Sequence, residues 1–129
     1  IMPGGDAPAY SQVQPILESI AAKDKNGKPC CAYISNGGSG HFIKMVHNAI
    51  EYAEMQLLSE VYAKMRNGLQ LSPDAIAAVF QQWNEKELNS YLLEITIDIL
   101  QTNEGEDSLL DKILDTGSSK GTGSWAAAT

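Results

Sequence analysis

From His41 to Arg66 the chain runs without a single proline or glycine. That is the feature that most restricts its fold. Uninterrupted segments of this length with apolar residues on one side are helices, and Asn67-Gly68 directly behind supplies a left-handed stop. The spacing therefore predicts one long helix over 41–66. Any architecture for the chain has to be arranged around it.

Shorter helices are expected on both sides. In Pro8 to Lys23, Val13, Ile16, Leu17 and Ile20 recur at i, i+3, i+4, i+7 and mark one apolar face. Ser72-Pro73-Asp74 reads as an N-cap followed by proline at the first helical position. Ile76, Val79, Phe80 and Trp83 would be the buried stripe behind it. Asn84 with Glu87 has the form of a capping box, which starts a further helix at Asn84. Its apolar face would be Leu88, Tyr91, Leu92, Ile95 and Ile99, with Leu93, Ile97 and Leu100 on other sides. A short helix is expected over Ser108 to Leu114, after a solvated turn at Asn103 to Asp107. Cys30 to Ile34, a brief apolar run between turns, reads as a strand buried on both faces. The sum is mainly α: a bundle-like helical portion preceded by one helix and one strand.

The net charge of −7 and the lack of a basic patch argue against a nucleic-acid partner. No stretch approaches a membrane span, and no leader with a cleavage site is visible, so the expected location is the cytoplasm, with no membrane partner. Cys30 and Cys31 are adjacent, which disfavours a bridge between them. They are read as buried free thiols in a reducing compartment. No metal site is expected, since the chain has two cysteines and two histidines without regular ligand spacing. The opening Ile1-Met2-Pro3-Gly4-Gly5 suggests a piece of something longer.

Chemistry concentrates at the start of the long helix. Lys44, His47, Asn48 and Glu51 stand at i, i+3, i+4, i+7 and share one stripe. Lys44 and Glu51 are roughly 10 Å apart along the axis at 1.5 Å per residue, about the length of a six-carbon sugar acid. The stripe offers a cation, two hydrogen-bonding groups and a carboxylate. Taken alone it is also what a solvated helix face looks like. The Ser35 to Gly40 turn before it suggests that something approaches the backbone closely there. It is not a dinucleotide fingerprint, because Gly38 and Gly40 are followed by Ile43 where the third glycine belongs. A second constellation, Ser119-Lys120-Gly121-Thr122-Gly123, pairs a cation and a hydroxyl with glycines, which suits a phosphate but also describes a linker.

Several blocks in order resemble the 6-phosphogluconate dehydrogenase family. They are Met2-Pro3-Gly4-Gly5, Gly40-His41-Phe42-Ile43-Lys44-Met45-Val46-His47-Asn48 with Ile50-Glu51-Tyr52, and Trp83-Asn84 with Glu87-Leu88 and Ser90-Tyr91-Leu92. Asp111-Lys112-Ile113-Leu114-Asp115 and Lys120-Gly121-Thr122-Gly123 complete the set. The resemblance implies an NADP-dependent oxidative decarboxylase of the pentose phosphate pathway and of gluconate utilization, turning 6-phosphogluconate into ribulose 5-phosphate and CO2. It implies that Lys44 is the base on the 3-hydroxyl and then the acid during decarboxylation, and that Glu51 protonates the enediol. His47 and Asn48 would hold the substrate, and Tyr52, Lys120 and Thr122 its phosphate. A lysine ordinarily titrates near about 10.4, so a lysine base has to be desolvated or set beside another cation.

The same resemblance divides the chain into 1–36, the end of an NADP-binding Rossmann-type domain, and 37–129, the start of the all-helical substrate and dimerisation domain. It implies a homodimer. It also implies that the rest of the dinucleotide domain is absent from this piece, so no cofactor is expected on it and it is expected to be inactive alone. Departures from the family pattern are Ser35, Ser39, Ala49, Ala53 and Ser124, none of them a named catalytic group. Two other readings remain open at this point: a free-standing helical module that binds a phosphosugar, and a relative in the wider β-hydroxyacid dehydrogenase group.

Overall fold

The computed structural model describes residues 1–105, 107–114 and 116–117. Within them the chain divides into two compact units, the first containing Ile1–Glu51 and the second Tyr52–Ser118. Four α-helices carry most of the structure: α1 (Ala7–Ile20), α2 (Ser39–Ala63), α3 (Pro73–Asn84) and α4 (Tyr91–Gln101).

In the first unit, α1 begins where the Asp6 carboxylate accepts from the Ala9 N–H, with Pro8 in the opening turn. The helix ends at Ala21, which is buried, while Val13, Ile16 and Ile20 stay exposed. Tyr10 stacks on Tyr33, ring centroids 5.1 Å apart. Desolvation, followed by the nearby Cys31 thiol, pushes the Tyr10 phenol above its ordinary range. A turn closes over Asp24, whose side chain accepts from the Asn26 and Lys28 N–H groups.

The segment from Cys30 to Ile34 is extended, and its partner is the start of the chain. The Ile1 nitrogen donates to the Cys30 carbonyl, and the Ile1 carbonyl accepts from Ala32 N–H. The Pro3 carbonyl accepts from Ile34 N–H, and Gly5 N–H donates to the Ser35 carbonyl. This is a parallel pairing with one rung missing, because Pro3 has no N–H to offer. The expectation of burial on both faces fails: Cys30 and Ala32 are exposed and Cys31 is only partly covered. Both thiols are free, but Cys30 is not buried.

Helix α2 follows a turn in which Gly37 takes a positive φ of 58°. It ends in a single wide turn, Lys64–Gly68, where the Leu69 N–H donates to the Lys64 carbonyl. Gln70 then takes a left-handed φ of 58° and reverses the chain. The first half of α2 belongs to one unit and the second half to the other.

The second unit is a helical core. Ser72 caps α3 by accepting from Ala75 N–H, as its sequence predicts. Ile76, Ala77 and Phe80 of α3 are fully buried against Leu93, Ile97 and Leu100 of α4. Leu58, Val61, Tyr62 and Met65 pack on this cluster, as do Leu71, Trp83 and Leu110. The Phe80 and Trp83 rings lie 5.4 Å apart.

Three expectations are corrected here. The helix after α3 does not start at Asn84. Asn84 closes a turn, its side chain accepting from the Ser90 N–H and the Asn89 amide, and Ser90 is the N-cap of α4. The buried face of α4 is Leu93, Ile97 and Leu100, while Leu88, Tyr91 and Ile99 are exposed. Beyond α4, Asn103–Glu104 (β1) and Asp107–Ser108 (β2) pair antiparallel around Gly105, and Leu109–Lys112 form a 3-10 turn where a short helix was expected.

Candidate functional site

The site is built on the first half of α2. Nothing inside that half interrupts the hydrogen-bond ladder, so residues at i, i+4 and i+7 stay in one row. Gly40, Lys44, His47 and Glu51 form that row, and Asn48 stands at its edge. The Lys44 Nζ lies 3.3 Å from His47 Nδ1. The two side chains are within hydrogen-bonding reach of one another. Glu51 Oε2 lies 3.8 Å from the same Nδ1. Lys44, His47 and Glu51 thus stand in sequence along a single helix face.

Lys44 and His47 also line an open groove of about 840 Å³ within the first unit. Its other walls are Ile43, the Ile1–Met2 pair, and the run from Lys28 to Ala32 with Ile34. The groove is mostly apolar, with the Lys44 and His47 nitrogens among its few polar groups.

The other expected residues divide as follows. Asn48 is half-buried beside His47, and Tyr52 is exposed one residue past Glu51, where the second unit begins. Lys120 and Thr122 lie outside the described residues.

Sequence reasoning missed the groove's far wall. Met2 and the extended Cys30 to Ile34 run face Lys44 only because residues 1–5 pair with residues 30–35, and a separation of 29 residues leaves no local periodic signal. The glycines were the available hint. A Cβ on Gly40 would overlap the Met2 carbonyl and lie 2.7 Å from the Gly4 nitrogen. The close approach expected at this glycine turn is made by the chain's own backbone. Gly40 at the end of the turn packs on Met2 and Gly4.

Comparison with known proteins fits this geometry. The family profile described as 6-phosphogluconate dehydrogenase, C-terminal domain, matches residues 40–129, and the chain belongs to that family. The 6-phosphogluconate dehydrogenase, decarboxylating, of Raoultella planticola is 52% identical over 128 residues, which is 98% of this chain and 29% of the relative. The enzyme of the same name from Staphylococcus aureus strain N315 is 52% identical over 128 residues, again 98% of this chain and 27% of its own. The 6-phosphogluconate dehydrogenase of Plasmodium falciparum, solved in its apo form, with its cofactor NADP+ and with its substrate 6-phosphogluconate, superposes with a TM-score of 0.84. It is 46% identical, and the match covers 98% of this chain and 27% of that one. The chain therefore spans less than a third of the length of these relatives.

Proposed function

We propose that residues 1–129 supply the proton-transfer helix of an NADP-dependent oxidative decarboxylase acting on 6-phosphogluconate. The observation that carries this reading is the Lys44–His47–Glu51 row, whose Lys44 and His47 line a groove, in a chain 52% identical to enzymes of that name. Lys44 takes the proton from the 3-hydroxyl as C3 is oxidised. When the C1–C2 bond breaks and CO2 leaves, the electron pair moves onto the C3 carbonyl oxygen, and Lys44 returns its proton there. Glu51 then protonates C2 of the enediol while the C3 hydroxyl gives its proton back to Lys44, which leaves ribulose 5-phosphate. His47 and Asn48 hold the sugar hydroxyls, and Tyr52, Lys120 and Thr122 hold the phosphate. The oxidant NADP supplies hydride-accepting chemistry from outside residues 1–117.

The division at residues 36 and 37 into the end of a dinucleotide domain and the start of a helical domain belongs to the same proposal. It is supported by the family match beginning at residue 40. A cytoplasmic homodimer completes the reading. The exposed apolar row Val13, Ile16 and Ile20 on α1 supports association, as large apolar patches do. Among the described residues, no helix is long and apolar enough to cross a membrane.

The test is a graft: residues 1–128 of this chain replace the matching segment of the Staphylococcus aureus relative. The graft is expected to reduce NADP in the presence of 6-phosphogluconate. Lys44→Ala in the graft is expected to lower kcat by about 10²- to 10⁴-fold, the usual contribution of a general acid–base group. A Lys44→Ala graft as active as its parent would overturn the assignment.

A further inference from the structure

We propose that Gly40 and Gly4 are positioning residues, a backbone-to-backbone clamp that sets where Lys44 and His47 stand in the groove. The catalytic meaning of the clamp rests on the proton-transfer role of Lys44, but its geometry does not.

The contact is unusually close and made almost wholly of backbone, the Ser39 Oγ at 2.9 Å from a Cβ on Gly4 being the side-chain atom in it. A Cβ on Gly40 would overlap the Met2 carbonyl and come within 2.7 Å of the Gly4 nitrogen. A Cβ on Gly4 would come within 2.6 Å of the Gly40 nitrogen and 2.9 Å of the Gly37 carbonyl. Gly40 is buried, although α2 is otherwise well exposed at this end. Backbone atoms cannot rotate away as a long side chain can, so any added carbon has to be met by moving one segment.

Neither segment is free to move. The stretch carrying Gly4 is tied to the extended run by the Ile34 N–H donating to the Pro3 carbonyl at 2.9 Å and the Gly5 N–H donating to the Ser35 carbonyl at 3.0 Å. The other segment is the start of a helix, which transmits displacement along its axis. Lys44 is at i+4 from Gly40 and His47 at i+7, on the same face, so the clamp lies one turn below the candidate base. A methyl at Gly40 lifts this face from the groove wall by about 1 Å, and a misplacement of that size costs on the order of 10²-fold in rate. Gly38, two residues earlier, has nothing within 4 Å of its would-be Cβ and serves as the internal control.

The experiment uses the 129-residue chain without substrate. Side-chain NMR signals of Lys44 and His47 are recorded in the parent, in Gly40→Ala, in Gly38→Ala, and in a variant lacking residues 1–5, each with and without Gly40→Ala. Gly40→Ala is expected to move both signals, and Gly38→Ala to leave them in place. Loss of residues 1–5 is expected to move them as well. In that shortened background Gly40→Ala is expected to add nothing, because the clash partner is gone. Gly4→Ala, which strains the same contact from the other side with residues 1–5 still in place, is expected to move the same two signals, and unmoved signals there overturn the proposal as well. Unmoved Lys44 and His47 signals in Gly40→Ala overturn the proposal, as does an equal shift with and without residues 1–5. In the graft, Gly40→Ala is expected to lower kcat about 100-fold with a smaller change in KM. A fully active Lys44→Ala graft would remove the catalytic reading and leave the NMR result standing.

Discussion

The two units are held together by different means. Tyr52–Ser118 buries Ile76, Ala77, Phe80, Leu93, Ile97 and Leu100 in one cluster, whereas Ile1–Glu51 buries, among the described residues, Ala21 and Gly40. The first unit relies instead on backbone hydrogen bonds between residues 1–5 and 30–35, the Asp24 turn and the glycine contact. Backbone pairs add only about 1 kcal/mol each, net of lost hydration. Burial of large side chains adds about 1.5–3 kcal/mol each. The unit that carries the candidate chemistry is thus the one with less core, and Val13, Ile16 and Ile20 show where further apolar cover would go.

The largest expected effect lies in the core. Phe80→Ala leaves a cavity at a fully buried site and is expected to cost about 3–5 kcal/mol, read as a lowered urea midpoint. Leu17→Ala, at a half-buried site on α1, is expected to cost less than Phe80→Ala; equal losses would erase the contrast between the units. Next come the caps. Ser72→Ala and Ser90→Ala each remove a side-chain acceptor at a helix start and are expected to cost about 1 kcal/mol. Hydrogen exchange would sharpen the same contrast, with α3 and α4 amides protected more strongly than those of α1. The smallest stability effect is expected at the exposed apolar row. Ile16→Gln should change stability by no more than about 0.5 kcal/mol while weakening self-association in light scattering. A parent chain that stays monomeric at high concentration would argue against the dimer.

Local signals in the sequence were read well where one helix decides the outcome. Helix α2 is legible because no proline or glycine breaks it and Asn67-Gly68 follows, and its polar row is fixed by spacing alone. Ser72-Pro73 marks α3 for the same local reason. The start of α4 was misread because Asn84 and Ser90 are both good caps, and only the turn between them decides which one serves. Counting the apolar period from Leu88, which lies in that turn, rotated the face and put Tyr91 and Ile99 where Leu93, Ile97 and Leu100 belong. The groove was illegible because its wall comes from residues 1–5 pairing with residues 30–35, and Pro3 removes one rung from that pairing. Lys120 and Thr122, suggested by their glycine setting, fall outside the described residues.

The central claim is that this chain carries the proton-transfer row but only half of a working site. The most direct measurement mixes the purified 129-residue chain with NADP and 6-phosphogluconate and follows NADPH absorbance. Hydride transfer needs the nicotinamide held at near-attack distance, and residues 1–129 carry no GxGxxG fingerprint to seat its pyrophosphate. The account predicts no NADPH above that of a Lys44→Ala control. Turnover that depends on Lys44 in the isolated chain would contradict it.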